Sequence, residues 1–219
     1  MALALRQAYT TYPGNAQSGV VVVAGDLIIV GYSANASTSG ATISDNAAGG
    51  TNTYDSSSIA EVHNSSASIG SGRTFFAIAK NSETLTITVT SITDAGIHVH
   101  VVSGANTTLA AVLDTQSSLA GSSSGSTLTG SNFTTGNAND YLWSFWFQED
   151  ATATVTDSQS FTKEKENSSH YSGSFDQIVS ATNTYHDAGT ATGSGYWSNI
   201  SAAFKAAAAS TDPVGMICI

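Results

Sequence analysis

The sequence predicts an all-β fold, a single antiparallel β-sandwich of jelly-roll-like character with long loops rich in Ser, Gly and Thr. Three observations carry that reading. Residues 84–90, Thr-Leu-Thr-Ile-Thr-Val-Thr, alternate strictly between apolar and polar, which places Leu85, Ile87 and Val89 on one face of a strand and the threonines on the other. Only 2 prolines occur in 219 residues, so ladders can run without the gaps that a missing N–H leaves. Turn signals rich in Gly, Asn, Asp and Ser recur between the apolar runs, and no stretch carries a convincing helical stripe.

Taken along the chain, residues 1–19 read as an N-terminal arm. The apolar run 20–30 is interrupted by Gly25-Asp26 and reads as two buried strand pieces. It is too short for a membrane helix, which needs about 20 apolar residues. Residues 33–44 read as a long loop, and 45–54 as an Asx-type turn closing a hairpin, since an Asp side chain bonds the backbone two residues on. Residues 75–79 and 97–101 are further strands, the second turning His98 and His100 away from Ile97, Val99 and Val101. Residues 117–132, almost wholly small and polar, read as a surface loop. Residues 141–147 form an aromatic strand. Residues 157–173 read as an exposed loop or sheet edge, because the alternation Lys163-Glu164-Lys165-Glu166 discourages pairing with another sheet. Helix and strand both stay open for 200–209, where the alanines favour one and Tyr196, Trp197 and Phe204 the other. Residues 206–219 read as a C-terminal tail, and the whole of 1–219 as one domain.

Composition narrows the partners. Sixteen acidic against 6 basic residues give a net charge of −10, which repels phosphate backbones and argues against nucleic acid. Charged residues are 10% of the chain, so the polar surface is built from Ser, Thr and Asn, side chains that lose little entropy when pressed against a neighbour. The one cysteine, Cys218, allows no intramolecular disulfide. The opening residues lack a secretory apolar core. The expectation is a soluble protein made in a cytoplasm, without a membrane partner.

Residues able to carry chemistry do not converge. Gly121-Ser122-Ser123-Ser124-Gly125 matches the nucleophile-elbow pattern, but in a low-complexity stretch that lacks the strand and helix the elbow needs. His98-Val99-His100 puts two imidazoles on one strand face, a pairing suited either to a shared metal or to an interface; the Glu that a cupin-type site adds a few residues later is missing. Glu61, Glu83 and Glu149 include no pair whose spacing singles it out for glycoside hydrolysis. No catalytic, cofactor or metal site is therefore predicted. Of the aromatic strand, Tyr141, Trp143, Phe145 and Phe147 form a core face. Trp146, beside Leu142, Ser144 and Gln148, is the candidate sugar-stacking platform or subunit contact, unless a second layer covers it. Trp146, His98 and His100 are the candidate ligand or interface residues.

Ala24-Gly25-Asp26-Leu27-Ile28-Ile29-Val30, the turn 44–54, the hairpin 84–102, Asn139-Asp140-Tyr141-Leu142 and the segment Gly195-Tyr196-Trp197-Ser198 to Ala203-Phe204-Lys205 come in an order that resembles the β-sandwich modules, jelly-roll or Ig-like, of phage virion proteins and bacterial surface proteins. The likeness spans residues 25–205 and brings no catalytic residues with it. It implies a virion structural protein, such as a capsid decoration or cement protein or a small tail or fibre component, assembled in a host cytoplasm. Its implied partners are copies of itself and other virion proteins, with the tail 214–219 and the N-terminal arm as docking segments. The alternative is a carbohydrate-binding module or adhesin that takes a cell-surface glycan on Trp146, Tyr171 or Tyr185.

Overall fold

The computed structural model of the chain describes residues 2–34, 40–63, 70–90, 95–119, 124–148, 154–157, 159–167 and 171–208. The first part of the chain supplies β1 (Ala4–Thr11), β2 (Ala16–Val22), β3 (Leu27–Ala34), β4 (Thr42–Asp45), β5 (Tyr54–Asp55), β6 (Val62–His63), β7 (Ser71–Ile78), β8 (Glu83–Thr90) and β9 (Ala95–Ser103). A single helical turn, α1 (Leu109–Val112), separates these from β10 (Leu113–Leu119), β11 (Ser124–Thr129), β12 (Phe133–Thr134), β13 (Asp140–Gln148), β14 (Val155–Asp157), β15 (Thr162–Asn167), β16 (Ser172–Val179), β17 (Thr184–Tyr185) and β18 (Ala188–Lys205). Among the described residues every strand pairing is antiparallel.

The all-β, antiparallel, sandwich-like fold read from the sequence is the observed one, with more layers than the two of one sandwich. Sheet β2-β8-β4 covers one face of sheet β1-β9-β3-β7-β5. The other face of that sheet packs on β10-β18-β13-β16-β15, whose far side is covered by β11 and β14, both paired to the first part of β18, and by the β12-β17 ribbon. Period-two alternation explains the layering. Along β3, Ile28, Val30 and Tyr32 enter the first core, while Leu27 and Ile29 enter the second. Along β13, Tyr141, Trp143, Phe145 and Phe147 enter the second core, and Leu142 and Trp146 the third. A strand covered on both faces has no solvent side, so β13 is buried from end to end.

The strand order is the same in both parts of the chain. β1-β9-β3-β7 corresponds to β10-β18-β13-β16, and β2-β8-β4 to β11-β18-β14, a jelly-roll-like alternation between two sheets run through twice. The one long strand β18 does the work of β8 with its first part and of β9 with its second. Register agrees as well as order. The row Leu5, Val102, Leu27, Ile78 across the first large sheet matches Leu113, Phe204, Tyr141, Ile178 across the second. Each ladder shifts register directly after this row, at Leu5/Gln7 in β1 and at Leu113/Thr115 in β10.

The two large sheets meet face to face, with β3 over β13, β9 against β16, β7 against β18 and β1 against β15. That arrangement is the one a pseudo-two-fold axis between β3 and β13 generates, as if an isologous dimer were joined in one chain. Close approach is permitted by Gly31 on β3: a Cβ there would sit 2.8 Å from the Trp143 ring. Fully burying a large apolar side chain in such a seam stabilises the fold by roughly 1.5–3 kcal/mol.

Several expectations are corrected. The segment 1–19, read as an arm, holds β1 and most of β2, both paired in sheets, because Leu3 and Leu5 pack on the second core and Val20 sits in the first. Most of 117–132 is strand rather than loop: β10 runs to Leu119 and β11 occupies Ser124–Thr129. Small residues suit these positions because they lie against other strands. Of the two readings left open for 200–209, strand is the observed one for 200–205, since Ala202, Ala203 and Phe204 alternate between two cores. Of the tail, Ala206 bridges Ala105 and Ala207 donates to the Gly104 carbonyl, while 209–219 lie outside the described residues. The expected Asx turn is present, with Asp45 Oδ1 accepting from the Ala47 N–H at 3.1 Å.

Candidate functional site

The two histidines singled out in the sequence lie together, but inside the seam between the large sheets rather than at the surface. Both are fully buried, on the face of β9 turned toward β16, whose Ser172, Ser174 and Asp176 share the opposite face. His98 Nε2 lies 2.9 Å from Ser172 Oγ and 3.3 Å from Thr10 Oγ1, and its Nδ1 is 3.2 Å from Ser174 Oγ. His100 Nε2 is 3.0 Å from Ser174 Oγ and its Nδ1 is 2.6 Å from the Tyr141 hydroxyl. Tyr141 in turn hydrogen-bonds Asp176, which faces Glu164 on the edge strand β15.

One protonation pattern satisfies the whole chain of contacts. With both imidazoles neutral and carrying their proton on Nδ1, the Ser172 hydroxyl donates to His98, His98 to Ser174, Ser174 to His100, His100 to the Tyr141 oxygen, and Tyr141 to Asp176. Burial favours that neutral form, pulling His98 down to about 3, with Lys165 adding to the effect. His100 is likewise held well below its ordinary value by burial, and then by His98 and Lys165. Desolvation pushes Asp176 up to about 7, helped by the Glu164 carboxylate.

The pseudo-equivalent side of the seam is apolar. By register, His98 and His100 correspond to Ile200 and Ala202, and Ser172, Ser174 and Asp176 to Gly72, Thr74 and Phe76. There Phe76 and Phe204 meet edge to face at 5.3 Å, and Trp143 Nε1 donates to Thr74 Oγ1 at 3.3 Å. The polar cluster is thus one half of a two-fold seam and has no counterpart in the other.

Ser174 beside His100 has the bare outline of a nucleophile and base, yet Ser174 has no exposure, so no substrate reaches its hydroxyl unless the sheets part. Neither histidine is directed at a metal, since each imidazole nitrogen already meets a hydroxyl, and among the described residues no three His, Cys, Asp or Glu side chains are grouped to hold one.

Trp146 corrects the stacking-platform expectation. It is 1% exposed, enclosed in the third core with Phe175, Trp197 and Leu128, because the outer strands cover what the sequence shows only as a mixed face. Its indole N–H and the Ser144 hydroxyl both donate to Asp187 Oδ2. Asn199 Nδ2 donates to Ser144 Oγ at 2.8 Å, and Ser201 Oγ donates to Asn199 Oδ1 at 2.8 Å. Desolvation pushes the Asp187 carboxyl up to about 7 against these hydrogen bonds. Tyr171, the other proposed platform, is also buried, and Tyr185 is half-buried with its hydroxyl donating to the Ala181 carbonyl at 2.8 Å. Ser123 and Glu149 lie outside the described residues.

A pair the sequence reading missed lies at the start of β13. The bulge residue of β1, Arg6, donates to Asp26 Oδ1 at 2.9 Å, and the bulge residue of β10, in the matching place, is Asp114, facing Asp140. Only the strand register reveals that correspondence. No protein-family model, curated protein or solved structure matches the chain.

Proposed function

We propose that the chain is a virion structural protein, a capsid decoration or cement protein or a small tail or fibre component, that acts by protein-protein assembly. The observation that supports this reading best is the inward direction of its chemistry. His98, His100, Ser174, Tyr141, Asp187 and Trp146 satisfy one another inside the stack. What large apolar surface the described residues leave outside is Val21, Val23, Ile178 and Tyr196, each between 41% and 49% exposed. Val21 and Val23 lie together on the outward side of β2 and just beyond it, lining a shallow groove of about 330 Å³ with Arg6 and Gln7. A rigid multilayered body with a Ser- and Thr-rich surface and few long charged side chains suits contact with neighbours in an array. The glycan-binding alternative loses Trp146 and Tyr171 as stacking surfaces, since both are enclosed.

Light scattering on the purified chain over a range of concentrations tests the proposal. The expected result is a closed oligomer that the double substitution Val21→Ser, Val23→Ser weakens. A monomer at every concentration that binds a defined glycan saturably would overturn it.

A further inference from the structure

The two halves differ in their charges at one matching place, where the second holds two carboxyl groups and only a long lysine ion pair. In the first half, Arg6 at the β1 bulge supplies the cation for Asp26, whose Oδ2 also accepts from the Val23 N–H at 2.8 Å. In the second half, the bulge position carries Asp114 and the position of Asp26 carries Asp140, so two carboxyl groups face one another where the first half has a guanidinium and a carboxylate. Asp140 has no exposure, and neither of its carboxylate oxygens meets a hydrogen-bond donor. Asp114 is held in place: its Oδ2 accepts from the backbone N–H groups of Gly136 and Asn137, and its Oδ1 from Asn137 Nδ2 at 2.7 Å. The cation at this place is Lys205, the register partner of Asp140: its Nζ makes a long ion pair of 3.8 Å with Asp114 Oδ1, beyond hydrogen-bonding range, on a side chain that is 31% exposed, and its charge also acts on Asp140.

We infer that Asp114 and Asp140, with the side-chain amide of Asn137, form a binding site for a hard divalent cation of the calcium type, which takes the place that the Arg6 guanidinium holds in the first half. The donor set is all oxygen once the Asn137 amide turns over, an exchange of O for N that leaves its shape unchanged. Oxygen donors, two carboxylates and an exposed loop open to water suit calcium, which completes six to eight ligands with solvent, and do not suit zinc, which takes nitrogen or sulfur from His and Cys. The loop Gly136 to Asn139 closes over the site from one side, with Gly136 so near that a Cβ there would stand 3.1 Å from Asp114 Oδ1. Asn139 also lines an open cavity of about 380 Å³ with Ala2, Leu3 and Ala206, which brings solvent to the residue next to Asp140. With two formal charges and one amide, the affinity belongs with weak calcium sites, Kd on the order of 0.1–1 mM. Lys205 is displaced toward solvent when the cation binds.

The test is calcium titration of the full chain by calorimetry, with thermal melts in 10 mM calcium chloride and in chelator at matched ionic strength. Saturable binding is expected, with a Tm rise of roughly 3–6 °C at about ten times Kd. Asp140→Asn should abolish both. Asp114→Arg, which rebuilds the arginine-carboxylate pair of the first half, should abolish calcium binding and raise the Tm measured in chelator. Asn137→Ala, on the exposed loop and away from the core, should keep the fold and raise Kd at least about fivefold, as one of three protein donors is removed. No heat of binding in the unaltered protein, a melt that responds equally to sodium chloride, or an unchanged Kd in Asn137→Ala overturns the assignment. The first two outcomes would mean that the carboxyl pair is held by a shared proton instead.

Discussion

The Tyr141 hydroxyl lies 2.6 Å from His100 Nδ1, joining β13 of the second half to β9 of the first across a seam in which both side chains are fully buried. Tyr141→Phe removes the group that accepts from His100 and donates to Asp176, leaving the buried His100 Nδ1 unpaired and Asp176 with Glu164. The expected cost is about 1–3 kcal/mol, read as a lower urea midpoint with an unchanged m-value. In the double variant Tyr141→Phe, His100→Ala, the cost should fall short of the sum of the single costs, because each single change already breaks the same bond.

His98 should make the protein acid-sensitive. Its folded-state pKa is pulled down to about 3 by burial, while the unfolded chain titrates near 6.5. Between those values the unfolded state binds a proton that the folded state does not, so the stability tied to the neutral imidazole is present above pH 6.5 and is lost as pH falls toward 3. His98→Gln keeps polar contact with the serines and has no such titration. The stability advantage of the unaltered protein over this variant should therefore shrink steadily from pH 7 to pH 4. An advantage constant across that range would show that the imidazole takes up its proton in the seam as readily as in the unfolded chain.

Asp187 acts in the opposite direction. Burial raises its carboxyl to about 7, so the folded state holds a proton between pH 4 and 7 that the unfolded state has released. Its contribution is greatest below pH 4 and is lost as pH rises through 7. Asp187→Asn can still accept from Ser144 and Trp146 through its amide oxygen, and it cannot ionise. Relative to the unaltered protein the variant should gain stability from pH 5 to pH 8, measured by denaturant midpoints at each pH. A parallel pH dependence in the two proteins would show that the carboxylate is already ionised at pH 5.

What was legible in the sequence was local. The alternation of residues 84–90 fixed β8 and its buried face because that strand has one core side and one solvent side, the condition under which period two is visible. The two-sided burial of β13 blurs the same signal: Trp146 among Ser144 and Gln148 looks half exposed until the outer strands are known to cover it. Residues 117–119 and 124–129 resemble a loop by composition and are strands by pairing, since Ser, Gly and Thr satisfy a ladder as well as a turn. The repeat is invisible because matching positions share a place in the ladder but seldom size or identity: Val102 answers to Phe204, His100 to Ala202 and Arg6 to Asp114, with Asp26 and Asp140 among the few identities. Register, which sequence does not display, is what joins them.

Gly31 offers the sharpest test of how tightly the halves are pressed together. It lies in the middle of β3 with an ordinary strand backbone, so its role is not conformational, and alanine would be neutral or better there if space alone permitted. Space does not permit it, since the added Cβ would stand 2.8 Å from Trp143 and 3.0 Å from Phe145, rings that are themselves stacked at 6.0 Å and enclosed by the second core. Gly31→Ala should cost about 1–3 kcal/mol in chemical denaturation, the range for overpacking a closed interior. Gly40→Ala, with nothing within 4 Å of the new methyl, should leave stability within about 0.5 kcal/mol. Shrinking the opposing ring in Gly31→Ala, Trp143→Phe should recover part of the first loss, because the methyl then occupies the volume the indole vacates. An alanine at position 31 as stable as glycine would mean that the two sheets stand further apart than this packing requires, and the two halves would then be joined by their polar cluster and chain connection more than by their aromatic seam.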